Sequence, residues 1–220
     1  MNHGVLPRQG EDSFSILSKP PVSLLCVADG CGGLGSRRYP ELNNQTGASL
    51  AAGLVVEAAS GGWRQGQTTP HTLEQGQKTI TALVPWLEQA LNDFSRGHPQ
   101  TGSRIVGSMQ RLLPTTLCMA LADGGERACF LWAGDSRGYV LDETGLHLYT
   151  RDDVKRPMDE LERLRCDAPL SLCVSADRPV RLHLRSVALP KQGLLICATD
   201  GVYGCVFSPM ELEEIFLASL

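Results

Sequence analysis

Three apolar runs in this 220-residue sequence end in the same chemistry. "LLCVADG" stops at Asp29-Gly30, "CFLWAGDSRG" at Asp135 and "LLICATDG" at Asp200-Gly201, each setting a carboxylate where a strand should break into a turn. An isolated Asp-Gly is simply good turn chemistry, because Asp bonds its own backbone and Gly tolerates positive φ. Three such ends, flanked by the small residues Ala28, Gly134 and Thr199 and joined by Glu11-Asp12 ahead of another strand, ask for a further reason. Carboxylates brought together repel one another unless cations sit among them. Hard divalent ions such as Mg²⁺ or Mn²⁺ take oxygen ligands of this kind.

The glycines allow a rival reading. Gly30, Gly32 and Gly35 spell G-x-G-x-x-G after a strand, the pattern of a dinucleotide-binding loop, and Glu57 follows at a spacing that suits a ribose ligand. That loop must open directly into a helix whose N-terminus receives the pyrophosphate. Here Asp29 would set a negative charge beside the anion, and Pro40 would interrupt the helix.

The elements that must position these acids follow from periodicity. "DSFSIL" and "VSLLCVA" read as strands around a "KPP" turn, the second ending at Asp29. From Leu42 to Ala59 the chain is small, apolar and free of proline, a buried helix that Gly61 and Gly62 should close. A polar loop follows, and then Leu73, Ile80, Leu83, Val84, Leu87, Leu91 and Phe94 recur at helical spacing to about Gly97, with Pro85 kinking the helix or starting a new one. "TTLCMALA", "RACFLWAG" and "YVLDETGLHLYT", joined by turns at "DGGE" and "DSRG", fit antiparallel sheet better than a parallel β-α-β layout. Residues 151 to 178 form a charged, proline-broken excursion, and "VRLHLRSVAL" and "GLLICATDG" are two further strands. Ser208, Pro209 and Glu211 make a capping-box start for a last helix, with Leu212, Ile215, Phe216 and Leu220 on one face.

Bulk properties narrow the function classes. With 42% hydrophobic and 20% charged residues the chain is an ordinary globular protein, expected to form one domain over residues 1–220. A net charge of -4 argues against a nucleic-acid partner, whose phosphates need a basic surface. No run approaches the roughly 18 apolar residues of a membrane span, and the start carries no signal peptide, so no membrane association and a cytoplasmic location are expected. The eight cysteines show no C-x-x-C spacing and several lie inside apolar runs, which reads as free thiols rather than as disulfides or a zinc site.

Taken in order, "GEDSF", "VADGCGG", "PTTL", "WAGDSRGYVL", "TRDD" and "ATDGVYGCV" resemble the motifs of the metal-dependent serine/threonine protein phosphatases, the type 2C or PPM family, over roughly residues 4 to 206. The resemblance implies an α+β fold: two antiparallel sheets packed as a sandwich with helices on both outer faces, a four-layer αββα arrangement. It implies hydrolysis of phosphoserine or phosphothreonine in a phosphoprotein by direct attack of a water bridging two Mg²⁺ or Mn²⁺ ions. Asp29 would bridge the metals, the Gly30 carbonyl would ligate one and Asp200 the other, Glu11 and Asp12 would hold metal-bound waters, and Asp135 would serve a weaker third ion. Arg8 would clamp the substrate phosphate. A cognate serine/threonine kinase and a monomeric state complete the expectation.

The match has departures. Where the family reads Arg-x-x-Asn-Glu-Asp, Pro7 takes the arginine position and Gly10 the asparagine; Cys31 replaces the His or Met usual after Asp-Gly, and Asp153 the His common in "TRDD". The family also carries a last strand with further acidic ligands beyond "ATDG", so the domain is expected to be truncated at its C-terminal end. A non-catalytic, phosphatase-like binding or regulatory module is the alternative these departures favour.

Overall fold

The computed structural model describes residues 10–19, 22–66, 73–99, 111–122, 127–155 and 170–219. Strands β1 (Asp12–Lys19) and β2 (Val22–Asp29) pair antiparallel in a register that sets Asp12 opposite Asp29. Alternation decides their faces. Leu24, Cys26 and Ala28 of β2 are buried against helices, and Leu25 and Val27 point the other way. Strands β5 (Leu117–Ala122), β6 (Arg127–Ala133) and β9 (His183–Ala188) extend the sheet in the order β1-β2-β5-β6-β9. A second antiparallel sheet, of order β10-β7-β8, is built from β7 (Arg137–Asp142), β8 (Gly145–Leu148) and β10 (Leu194–Ala198). Strands β3 (Arg38–Tyr39) and β4 (Gln45–Thr46) form a small ribbon before the first helix.

Helices α1 (Gly47–Gly66) and α2 (Leu73–Gly97) cover the outer face of the five-stranded sheet. Ala48, Ala51, Ala52, Val55, Val56 and Ala59 are the buried stripe of α1, recurring every three or four residues, and small side chains let the helix lie close on β1 and β2. A second core, of Cys118, Ala120, Phe130, Trp132 and Val140 with Leu25, Val27 and Leu195, fills the space between the sheets. On the far side Tyr139, Ala198 and Leu212 pack together, which lays helix α4 (Pro209–Leu217) over the three-stranded sheet. The order of layers is therefore helix, sheet, sheet, helix. Because the second sheet is narrower, β1 is left uncovered on that side: Phe14 and Ile16, in register with Val27 and Leu25, are 74% and 69% exposed.

The antiparallel strands and both long helices agree with the sequence reading, and some boundaries do not. The first helix begins at Gly47, not Leu42, because Pro40–Leu42 forms a 3-10 turn and Asn43 and Asn44 take positive φ (55° and 59°) that a helix cannot hold. It also runs through Gly61 and Gly62 to Gly66, since a β-carbon on Gly62 would already lie 3.1 Å from Trp86 of α2, and the helix crossing gains from its absence. Pro85 lies inside one continuous helix rather than between two. "YVLDETGLHLYT" is two strands about a turn at Glu143-Thr144, where Asp142 accepts from the Thr144 N–H at 2.7 Å. On the last helix Ser208 caps the Glu211 N–H at 3.2 Å as expected, but Ile215 faces solvent, and Leu220 lies outside the described residues, as do the "DGGE" turn and the middle of the 151–178 excursion. Cys26, Cys118 and Cys129 are buried thiols, and every described cysteine is free. No described helix is long and apolar enough to cross a membrane.

Candidate metal centre

Three strand ends meet at one corner of the sandwich. Asp12 opens β1 and Asp29 closes β2 across from it, while Asp200 opens helix α3 (Asp200–Tyr203), a single turn directly after β10. Asp29 is held through its backbone. Its N–H donates to Thr116 Oγ1 at 2.9 Å, and its carbonyl accepts from Thr116 N–H and Thr115 Oγ1, both at 2.8 Å. Thr116 Oγ1 lies 2.6 Å from Ser136 Oγ, so the "PTTL" and "GDSRG" segments lock the strand end between them. The sequence displayed these hydroxyls only as part of a motif; that Thr115 and Thr116 are the clamp on Asp29 is visible only once β5 lies beside β2.

The carboxylates crowd one another. Asp29 is within hydrogen-bonding reach of both Asp12 and Asp200, and burial, followed by these two charges, pushes its carboxyl up to about 9. Asp12 is also raised, by burial first and by Asp200 next, although Thr199 donates to it. Asp135, in the turn between β6 and β7, is raised to about 6 by burial and by Asp200 and Asp152. Gly134 enters this turn at φ 99°, and a β-carbon there would sit 2.7 Å from Thr116 Cγ2. Tyr203 of α3 donates its hydroxyl to the Asp135 carbonyl at 2.8 Å, tying the turn after β6 to the one after β10.

Glu11 stands beside the group, where it accepts a hydrogen bond from Thr46 Oγ1 and packs on Gly32 so closely that a β-carbon on Gly32 would collide with Glu11 Oε2. Gly30 is equally constrained: its N–H donates to the Glu11 carbonyl at 3.2 Å, and a β-carbon would lie 2.5 Å from the Ala48 carbonyl carbon. The glycines thus serve close backbone approach. After Gly32 the chain turns and runs to the β3-β4 ribbon, and α1 starts only at Gly47, so no helix opens from this loop as a dinucleotide site requires.

Asp29, Gly30, Asp135 and Asp200 line a cleft of about 740 Å³, together with Cys31, Cys173, Arg111, Arg178 and Arg181. Arg137 grips Asp152 in a two-pronged contact (3.0 and 2.8 Å) and lies 3.8 Å from the Tyr203 ring centroid. Asp153, at the family's histidine position, accepts from the Gly134 N–H at 3.0 Å and pairs with His183 at 2.9 Å, a structural role. Arg8 lies outside the described residues. Among the described residues no group of three His, Cys, Asp or Glu side chains is arranged to hold a metal ion as it stands. The donor chemistry nevertheless fits a hard cation, because it is all oxygen and because buried carboxyls this close disfavour one another's charge unless a cation sits among them.

Comparison with known proteins agrees with the fold. Residues 6–219 match the protein phosphatase 2C family. Among solved structures, the Mycobacterium tuberculosis serine/threonine phosphatase PstP/Ppp is 21% identical with a TM-score of 0.66, over 96% of this chain and 80% of that one. The catalytic domain of PstP in complex with two manganese ions is 20% identical with a TM-score of 0.64, covering 97% of this chain and 80% of its own. The phosphatase Stp1 from Staphylococcus aureus is 16% identical with a TM-score of 0.66, over 95% and 84%. No curated protein sequence matches the chain. With the family match spanning nearly every residue and the same fold in these bacterial phosphatases, the chain belongs to the protein phosphatase 2C family.

Proposed function

We propose that the chain is a divalent-metal-dependent phosphatase acting on phosphoserine and phosphothreonine in a phosphoprotein. The observation that carries this reading is the meeting of Asp12, Asp29 and Asp200 from three strand ends, where burial and then the neighbouring carboxylates raise the Asp29 carboxyl. Asp29, the Gly30 carbonyl and Asp200 would hold two Mg²⁺ or Mn²⁺ ions, Glu11 and Asp12 would order the water around them, and Asp135 would serve a weaker third ion. Two such ions supply a shared water of lowered pKa as nucleophile and neutralise phosphate charge.

The chain's own residues do the rest. The Thr115-Thr116 clamp fixes Asp29 so that its carboxyl cannot withdraw from Asp12 and Asp200. Tyr203 keeps Asp135 in the cleft. Arg111, Arg178 and Arg181 give the cleft positive charge for an anionic substrate, and Arg8 is our assignment for the phosphate clamp. Cys31, a poor proton donor beside a leaving alkoxide, is left without a part in turnover. A serine/threonine kinase would supply the substrate, and we place the protein in the cytoplasm as a monomer.

The departures at Pro7, Gly10 and Cys31 favour a second reading, a phosphoprotein-binding module that does not turn over. One assay decides between them. With Mn²⁺ the protein should hydrolyse p-nitrophenyl phosphate and a phosphothreonine peptide, and Asp29→Asn should abolish both; binding of the peptide without hydrolysis would favour the module.

A further inference from the structure

The cleft that holds Asp29, Asp135 and Asp200 is also lined by three exposed cations, Lys155, Arg178 and Arg181. The other two guanidiniums in its lining are already engaged, Arg137 with Asp152 at 2.8 Å and Arg111 with Asp177 at 3.9 Å. Among the described residues no ion pair joins Lys155, Arg178 or Arg181 to an acid. In a chain of net charge -4 this is a local reversal of the bulk charge. The two arginines stand on fixed backbone that continues from the acid centre. Thr115, whose hydroxyl supports the Asp29 carbonyl, exchanges two backbone hydrogen bonds with Val174, both of 2.9 Å. Beyond Val174 the Ala176 N–H donates to the Leu112 carbonyl at 2.8 Å, Asp177 accepts from the Leu112 N–H at 3.3 Å, and the N–H of buried Val180 donates to Glu88 Oε1 of α2 at 3.0 Å. Pro179 locks φ between the two arginines. Lys155 follows Val154, which bridges Leu170, and the Ser171 N–H donates to the Asp153 carbonyl at 2.8 Å.

We propose that Lys155, Arg178 and Arg181 determine specificity by binding Asp or Glu side chains that flank the phosphorylated residue, so that the substrates are phosphoproteins whose phosphosite lies in an acidic segment. The inference rests on the phosphatase reading, which assigns the phosphate to the cation centre and to Arg8. The three exposed cations then need anions elsewhere in the substrate, and in a peptide those anions are carboxylates. A guanidinium takes a carboxylate through two parallel N–H···O bonds, which adds geometric selection to charge. Cations at the rim of a binding surface act mainly on the rate of encounter and on its salt dependence, and they disfavour substrates that bring positive charge. Backbone tied at Val174, Ala176 and Val180 leaves only the arginine side chains to be ordered when such a peptide binds, which limits the entropy lost.

The test compares two phosphothreonine peptides of equal length, one with Glu and one with Gln at the positions flanking the phosphothreonine. Their kcat/KM is measured with Mn²⁺ at low and high salt, and calorimetry measures binding of the same two peptides without the phosphate. The native protein should favour the Glu peptide by about tenfold at low salt, since each exposed charge pair contributes roughly a two- to fivefold factor. Screening should bring the preference toward unity in about 0.5 M salt. Replacing both arginines, Arg178→Gln with Arg181→Gln, should cut the preference to about threefold or less, and Arg178→Glu with Arg181→Glu should reverse it. The readout is a ratio of two substrates in one protein, so a smaller folded fraction in a variant cancels. Equal kcat/KM for the two peptides in the native protein, or a preference for the Glu peptide that survives Arg178→Glu with Arg181→Glu, would overturn the proposal. Hydrolysis of neither peptide would refute the phosphatase reading instead. Binding of the unphosphorylated pair would then decide the acidic preference alone, tighter binding of the Glu peptide supporting it and equal binding overturning it.

Discussion

Crowded carboxyls make stability depend on pH in a defined direction. Asp29 is raised to about 9 in the metal-free fold, whereas an unfolded aspartate titrates near 4. Between those values the native state holds a proton that the unfolded state has lost, so each unit of rising pH costs about 1.4 kcal/mol of stability. This contribution is fully present below pH 4 and is lost as pH climbs through about 9. For a domain of this size 1 kcal/mol moves Tm by about 2–4 °C, which predicts a fall of about 3–6 °C per pH unit between pH 6 and 8 attributable to this one group. Asp29→Asn removes the titration, so the comparison that isolates it is the Tm of wild type minus that of the variant, by differential scanning calorimetry in EDTA. The same proton must leave when a cation enters, and Mn²⁺ titrations at pH 7 in buffers of different ionisation enthalpy should report release of about one proton. A difference in Tm that stays flat from pH 6 to 8 would refute the reasoning, because it would mean Asp29 is already ionised beside Asp12 and Asp200.

Other perturbations probe the supports. Gly32→Ala should displace Glu11 and weaken Mn²⁺ binding in calorimetric titration, whereas Gly33→Ala, with open space around it, should leave binding unchanged. Thr116→Val keeps the shape but leaves the Asp29 N–H without its acceptor, and should lower stability in urea unfolding by about 1–3 kcal/mol. Arg137→Ala removes the two-pronged guanidinium contact from Asp152 and should lower stability by about 1–3 kcal/mol by the same measurement.

The strand ends were legible because apolar runs closed by an aspartate beside a glycine combine two strong local signals, and "ADGCGG", "GDSRG" and "ATDG" fall at all three. The helix start near Leu42 misled because nothing in "LNNQTG" forbids a helix until Asn43 and Asn44 are seen in left-handed conformation, where their short polar side chains are tolerated. Gly61 and Gly62 looked like a stop for the opposite reason: whether glycine ends a helix or lets another helix approach depends on Trp86, which is remote in sequence. Which sheet each late strand joins was also out of reach, since β9 pairs with β6 and β10 with β7 although the two strands are consecutive. The Thr115-Thr116 clamp is likewise a product of long-range pairing, needing β2 and β5 side by side.

The central claim is that acids from separate strand ends form one cation-dependent hydrolytic centre. The direct measurement is kcat/KM on a phosphothreonine peptide with Mn²⁺ and with EDTA, for wild type and Asp29→Asn. The account predicts turnover only in wild type with Mn²⁺. Equal turnover in EDTA, or full activity in Asp29→Asn, would contradict it.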